Sequence, residues 1–133
     1  MAGEVVLPIQ ECPDMICHTV TVCLSATGGD VVDDHYVFYC ERDTIVDAAT
    51  VMFVTNDADA TLKLTTAATG TIADGTDMTS ALAISGTAGT PVHFTMTETA
   101  NLVPAGNWIG LEITNTSTAE QVTVQMRVRT RVR

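Results

Sequence analysis

Lysine is nearly missing from this sequence of 133 residues: Lys63 stands alone, and with five arginines it faces 16 Asp and Glu for a formal charge of −10. So acidic a chain repels phosphate backbones, which speaks against general nucleic-acid binding. Aromatic residues make up only 5%, and no aromatic stripe of the kind a carbohydrate-binding module displays is visible. Long apolar runs are absent too, the longest being a few residues against the ~20 of a membrane helix. The opening Met-Ala-Gly-Glu-Val-Val-Leu-Pro has neither the basic n-region nor the apolar h-region of a signal peptide. The expectation is a soluble chain made in a cytoplasm, bound to no membrane and no nucleic acid.

Catalytic and metal-binding constellations are missing as well. The four serines, Ser25, Ser80, Ser85 and Ser117, include none in a Gly-x-Ser-x-Gly elbow. Cys17 and His18 are adjacent, but neighbours on a strand point to opposite faces and do not form a nucleophile–base pair there. Cys12, Cys17, Cys23 and Cys40 are separated by four, five and sixteen residues, unlike the close C-x2–4-C pairs of zinc sites. Without an export signal the thiols are expected to be reduced, and the pairing of any disulfides is not legible from spacing. Asp57 with Asp59, and Asp74 with Asp77, sit at turn spacing, where Asp ordinarily bonds its own backbone; the ordered ligand loop of an EF-hand is absent. We therefore expect no catalytic residue, no metal and no cofactor.

What the chain does have is threonine, 23 residues of it, within a composition that is 46% hydrophobic and 17% charged. β-branched side chains lose rotamer freedom in helices and suit a pleated surface, so the composition is that of strands with a core. Pro8 and Pro13 break any regular ladder at the start, and residues 1–18 read as an N-terminal arm. Residues 19–133 read as a single domain, an antiparallel β-sandwich of about eight short strands, jelly-roll-like. Val20, Val22 and Leu24 alternate with polar neighbours up to a turn at Thr27-Gly28-Gly29-Asp30. His35–Glu41 carries aromatics on both faces. Ala49–Thr55 is apolar without alternation, as in a strand that is central or buried on both sides. Ala60–Thr66, Val92–Met96 and Ile109–Ile113 follow as strands, with Pro104-Ala105-Gly106-Asn107 as a type II turn. Asp77 could cap a helical turn over Thr79–Leu82. The expected core is Val20, Val22, Val51, Phe53, Leu62, Leu64, Phe94, Met96, Ile109, Leu111, Val122, Val124 and Met126. Trp108, at a strand start, is expected in the core or an interface.

Between Tyr36 and Arg129 the chain resembles the small jelly-roll decoration (cement, or head-fibre) proteins of tailed bacteriophage capsids. The residues that carry the resemblance are Ala49–Thr66 (ATVMFVTNDADATLKLTT), the Gly/Asp loop Thr69–Asp77, Ala81–Ser85, Ala88-Gly89-Thr90, Asn101–Ile109 (NLVPAGNWI) and a closing strand ending in basic residues. Such proteins often have Asp where this chain has Asn107, and the cysteine-bearing N-terminal region has no counterpart. The resemblance implies a structural virion protein on the capsid surface. It would bind the major capsid protein, bridge its subunits against internal pressure, and form a homotrimer. A receptor- or glycan-binding head of a phage fibre is the alternative, and a small hydrolase or metal-binding jelly roll lacks its ligand set.

One feature stands apart from the rest. Residues 1–126 hold two cations against all 16 acids, whereas the last seven residues carry Arg127, Arg129, Arg131 and Arg133 and no acid. From Gln121 onward, alternation puts the four arginines on one face and Val122, Val124, Met126, Val128 and Val132 on the other. The arginines either pair with acids of the molecule or its oligomer, or dock on an acidic patch of a partner; they are the candidate partner-binding residues.

Overall fold

The structure, a computed structural model, describes residues 15–24, 34–68, 72–84, 87–114 and 119–132. Residues 1–14 of the expected arm, Cys12 among them, lie outside the described residues. So do the Thr27–Asp30 turn, Thr69-Gly70-Thr71 and Arg133.

Ten strands are described: β1 (Met15–Leu24), β2 (His35–Tyr39), β3 (Thr44–Met52), β4 (Asp57–Ala67), β5 (Thr76–Asp77), β6 (Leu82–Ile84), β7 (Val92–His93), β8 (Leu102–Val103), β9 (Trp108–Thr114) and β10 (Val122–Arg131). β1 takes in the last four residues of the expected arm. The first sheet runs β1-β10-β3-β7, with β8 also on β3; the second runs β2-β9-β4-β5, with β6 also on β4. From β1 to β4 the chain crosses to the other sheet at every step, which gives the packed antiparallel β-sandwich expected from the sequence. The two strands beyond the expected eight arise in 72–103, where short apolar anchors between turns make ladders only two or three residues long. Among the described residues there is no α-helix, and no helical turn at Thr79–Leu82. Backbone bonds from Met78 N to Leu64 O (2.8 Å) and from Thr97 N to Met78 O (2.8 Å) hold Met78 extended, and Leu64 N donates to the Thr79 hydroxyl.

The core follows alternation. Val122, Val124, Met126 and Val128 have no exposed surface, and Phe53, Leu62, Leu64, Ile109 and Leu111 belong to the same buried cluster. Val20, Val22 and Met96 pack against that cluster only partly buried. Sequence alternation does not single out Met78, Ile84 and Val103, all within it. Two expectations change. β3 is central in its sheet but not buried on both sides: Ala49 and Val51 face inward, while Met52 is exposed, with no described residue covering it on the outer face. Val132, past the end of β10, is exposed rather than inward, and its carbonyl accepts a bond from Arg42 Nη1 (2.7 Å).

Cys40 closes β2 against the Pro104–Asn107 turn, its N–H donating to Asn107 O (2.9 Å) and its carbonyl accepting from Gly106 N (2.7 Å). Gly106 takes φ 92° at the third turn position, as a type II turn requires, with Pro104 at the first. Burial raises the Cys40 thiol pKa, partly offset by its hydrogen bond with Thr44. Because the folded state holds that proton above the ordinary thiol range, Cys40 favours folding less as pH rises past the unfolded value near 9.0. In native protein at neutral pH a thiol reagent is expected to label Cys17 and Cys23, both exposed, and to spare Cys40 until denaturant is added. Mass spectrometry of labelled peptides checks this, and rapid native labelling of Cys40 would contradict the buried position.

Candidate functional site

The two sheets segregate charge. The strands of the first contain Arg127, Arg129 and Arg131 against a single carboxylate, Asp47; those of the second contain Lys63 against Asp57, Asp59, Asp77 and Glu112. On β10 the parity is as the sequence requires, with the arginines on the solvent side and the valines inward. The register places Arg127 beside Thr19 of β1 and Ala48 of β3, and Arg129 beside Cys17 and Ile45.

A β-bulge then does what alternation does not foresee. The register shifts between Arg127 and Val128, leaving Asp47 as an extra residue of β3 between Val46 and Ala48. From there its carboxylate accepts two bonds from Arg129, Nε to Oδ2 and Nη2 to Oδ1, both 2.8 Å. Arg131 lies 3.5 Å from Asp43 Oδ2, and Asp43 is itself held by Ala105 N (3.0 Å). Arg127, on the same face, is exposed and has no partner among the described residues. It borders a shallow trough of about 270 Å3 floored by Thr19, Thr50, His93 and Gln125, with no acid in its lining. Among the described residues, internal pairing therefore accounts for Arg129 and Arg131 and not for Arg127; Arg133 lies outside them.

Other singled-out residues disperse. His18 Nε2 meets Thr130 Oγ1 at 3.0 Å, while Cys17 sits across from Arg129 on the other face of β1. Asp77 pairs with Lys63 at 2.9 Å and raises the lysine pKa, with Glu112 adding to the effect from 3.3 Å.

Sequence reasoning missed an aromatic cluster. Tyr36 and Tyr39 are an odd number of residues apart, so an unbroken strand would send them to opposite faces. The register of β2 shifts between Tyr36 and Phe38, and both tyrosines emerge on the outer face of the second sheet. They flank Trp108, with ring centroids 5.0 and 4.8 Å away.

No protein-family model matches the chain, and no curated protein matches it. Among solved structures it is similar to a chain of the cyanophage Pam1 capsid asymmetric unit. The two are 18% identical with a TM-score of 0.51, over 90% of this chain and 86% of that one. At that identity the likeness is one of fold.

Proposed function

We propose that this chain is a capsid decoration subunit: a non-enzymatic virion protein that binds the outer surface of the major capsid shell and stabilises it as a homotrimer. The observation that carries the reading is the fold shared with a chain of a phage capsid, matched over nearly the full length of both. Coverage that high on both sides pairs this chain with a capsid component of about its own size, rather than with one domain of a much larger chain. The resemblance between Tyr36 and Arg129 points to the same role.

The docking face in this reading is the outer face of the first sheet. In a molecule of charge −10, the strands of that sheet carry more arginines than acids, and Arg127, without a partner among the described residues, stands over a trough that no described acid lines. An acidic shell surface approaching the second sheet, whose strands carry more acids than cations, meets like charge, which steers it toward this face.

Co-sedimentation with heads of the cognate major capsid protein tests the reading. Wild-type chain is expected to bind and to raise the temperature at which heads release DNA, with binding that weakens as salt rises. Arg127→Glu, on an exposed position, is expected to shift stability by no more than about 0.5 kcal/mol while head binding and its salt dependence fall. Arg129→Gln, by contrast, breaks the bidentate pair with Asp47 and is expected to cost about 0.2–1 kcal/mol of stability. A chain that never sediments with heads would end the proposal; Arg127→Glu binding as wild type would move the docking face elsewhere. Light scattering is expected to give three times the 14.1 kDa chain mass.

A further inference from the structure

The aromatic cluster stands at the mouth of a cleft that the proposed docking leaves unused. The cleft, of about 380 Å3, lies where the β2 edge of one sheet meets β1 and β10 of the other. Tyr39 belongs to both: its ring packs at a tilt of 50° against Trp108, and it lines the cleft together with Phe38, His18, Glu41, Arg42 and Thr130. That volume is within the ~300–1,000 Å3 of small-ligand sites.

The walls are held in place before any ligand arrives. Cys40 and the Pro104–Asn107 turn lock the end of β2 to the start of β9, and so fix Tyr39 against Trp108. Arg42 is pinned by Val132 O and its own carbonyl accepts from Thr44 Oγ1 at 2.9 Å. His18 and Thr130 support each other at 3.0 Å. Rigid walls of this sort spare a ligand the cost of ordering them.

Their chemistry narrows the ligand. Tyr36 and Tyr39 are 51% and 42% exposed, presenting apolar ring surface that no part of the described chain covers. Beside it stand a carboxylate, a guanidinium, an imidazole and a hydroxyl, a mixed set of donors and acceptors. An apolar ligand would leave the Glu41 carboxylate and the remaining Arg42 donors without partners, which is costly. Glu41 and Arg42 cancel in charge, and the net −10 of the chain repels a polyanion. What satisfies both halves is an uncharged molecule with C–H faces for the rings and many hydroxyls for the polar side. From this we infer that the cleft is a binding site for neutral hexose oligosaccharides, with Tyr39, backed by Trp108, as the stacking ring and Glu41 and Arg42 as the hydroxyl-binding pair.

Trp108 is the one tryptophan of the chain, so its emission reads the site directly. Full-length protein is titrated with neutral gluco-, galacto- and manno-hexaoses, following Trp108 emission and ligand-observed NMR. At least one is expected to bind saturably below about 10 mM, and Tyr39→Ala and Arg42→Ala are each expected to weaken it about tenfold or more. Tyr36→Ala and Glu41→Gln serve as second variants should either of those fail to fold. Arg127→Glu is expected to bind sugar as wild type while losing heads, and Tyr39→Ala to bind heads as wild type, so each claim fails on its own. No saturable binding of any hexaose, or binding unchanged by the cleft variants, would overturn the site. An emission change that follows protein concentration rather than sugar would also overturn it, by showing the rings covered by a second copy.

Discussion

Leu111→Ala is expected to lose about 2–5 kcal/mol of folding stability, the cost of removing a large buried side chain that its surroundings cannot collapse around. Leu111 has no exposed surface and sits in the middle of β9, between β2 and β4, opposite His35 and Leu64. Domains of this size are stable by only about 5–15 kcal/mol, so the loss is a large share of the total. At about 3–6 °C per kcal/mol for this chain length, the melting temperature is expected to fall by about 6 °C or more. Leu102 is the control: at 55% exposure on the short strand β8, its truncation is expected to change stability by about 0.5 kcal/mol or less. Urea denaturation of the two variants checks the contrast, and equal losses would show that the inward and outward faces are misassigned.

Gly110→Ala is expected to destabilise by about 1–3 kcal/mol, although replacing glycine within a strand ordinarily helps. The reason lies in Ile72. The segment after β4 folds back over the outer face of the second sheet in a 3-10 turn, Ile72–Asp74, and lays Ile72 on Gly110. Thr65 Oγ1 donates to Ile72 O at 3.2 Å and Gly75 N donates to the same oxygen at 3.0 Å, so the turn cannot easily step aside. A methyl group on Gly110 would overlap Ile72 Cδ1 and lie 2.8 Å from both Cγ1 and Cγ2. In an Ile72→Ala background the collision is gone, and the same substitution is expected to become neutral or stabilising. A double-mutant cycle by chemical denaturation therefore predicts a coupling above about 0.5 kcal/mol. Additive effects would mean that Ile72 does not rest on Gly110.

Gly110 also marks a limit of periodicity as a guide. Ile109, Leu111 and Ile113 are inward by alternation, and the structure buries them. Gly110 and Thr65 fall on the solvent parity, yet both are buried, because a segment distant in sequence covers that side of the sheet. Alternation reports which residues share a face, not whether something lies over it.

The candidate sites divide in the same way. That the arginines of β10 share a solvent face was legible in the sequence, since they alternate with inward valines. That Arg129 has Asp47 as partner, while Arg127 has none among the described residues, depends on the β3 bulge, which no local pattern announces. Low aromatic content and the lack of an aromatic stripe argued against a sugar platform, and alternation along β2 separates Tyr36 from Tyr39; one register shift puts them on the same face, with Trp108 between them.

By itself, then, the sequence determined the all-β class, the inward valines and leucines, the turn at Gly106 and the concentration of positive charge on the last strand. These follow from β-branched propensity, period-two alternation and backbone conformational freedom, all of which act within a few residues. Only the tertiary structure decided which strands neighbour each other, which faces stay bare, and which charges and rings meet. Those depend on register and bulges, where a single extra residue moves a side chain to the other face of the sheet.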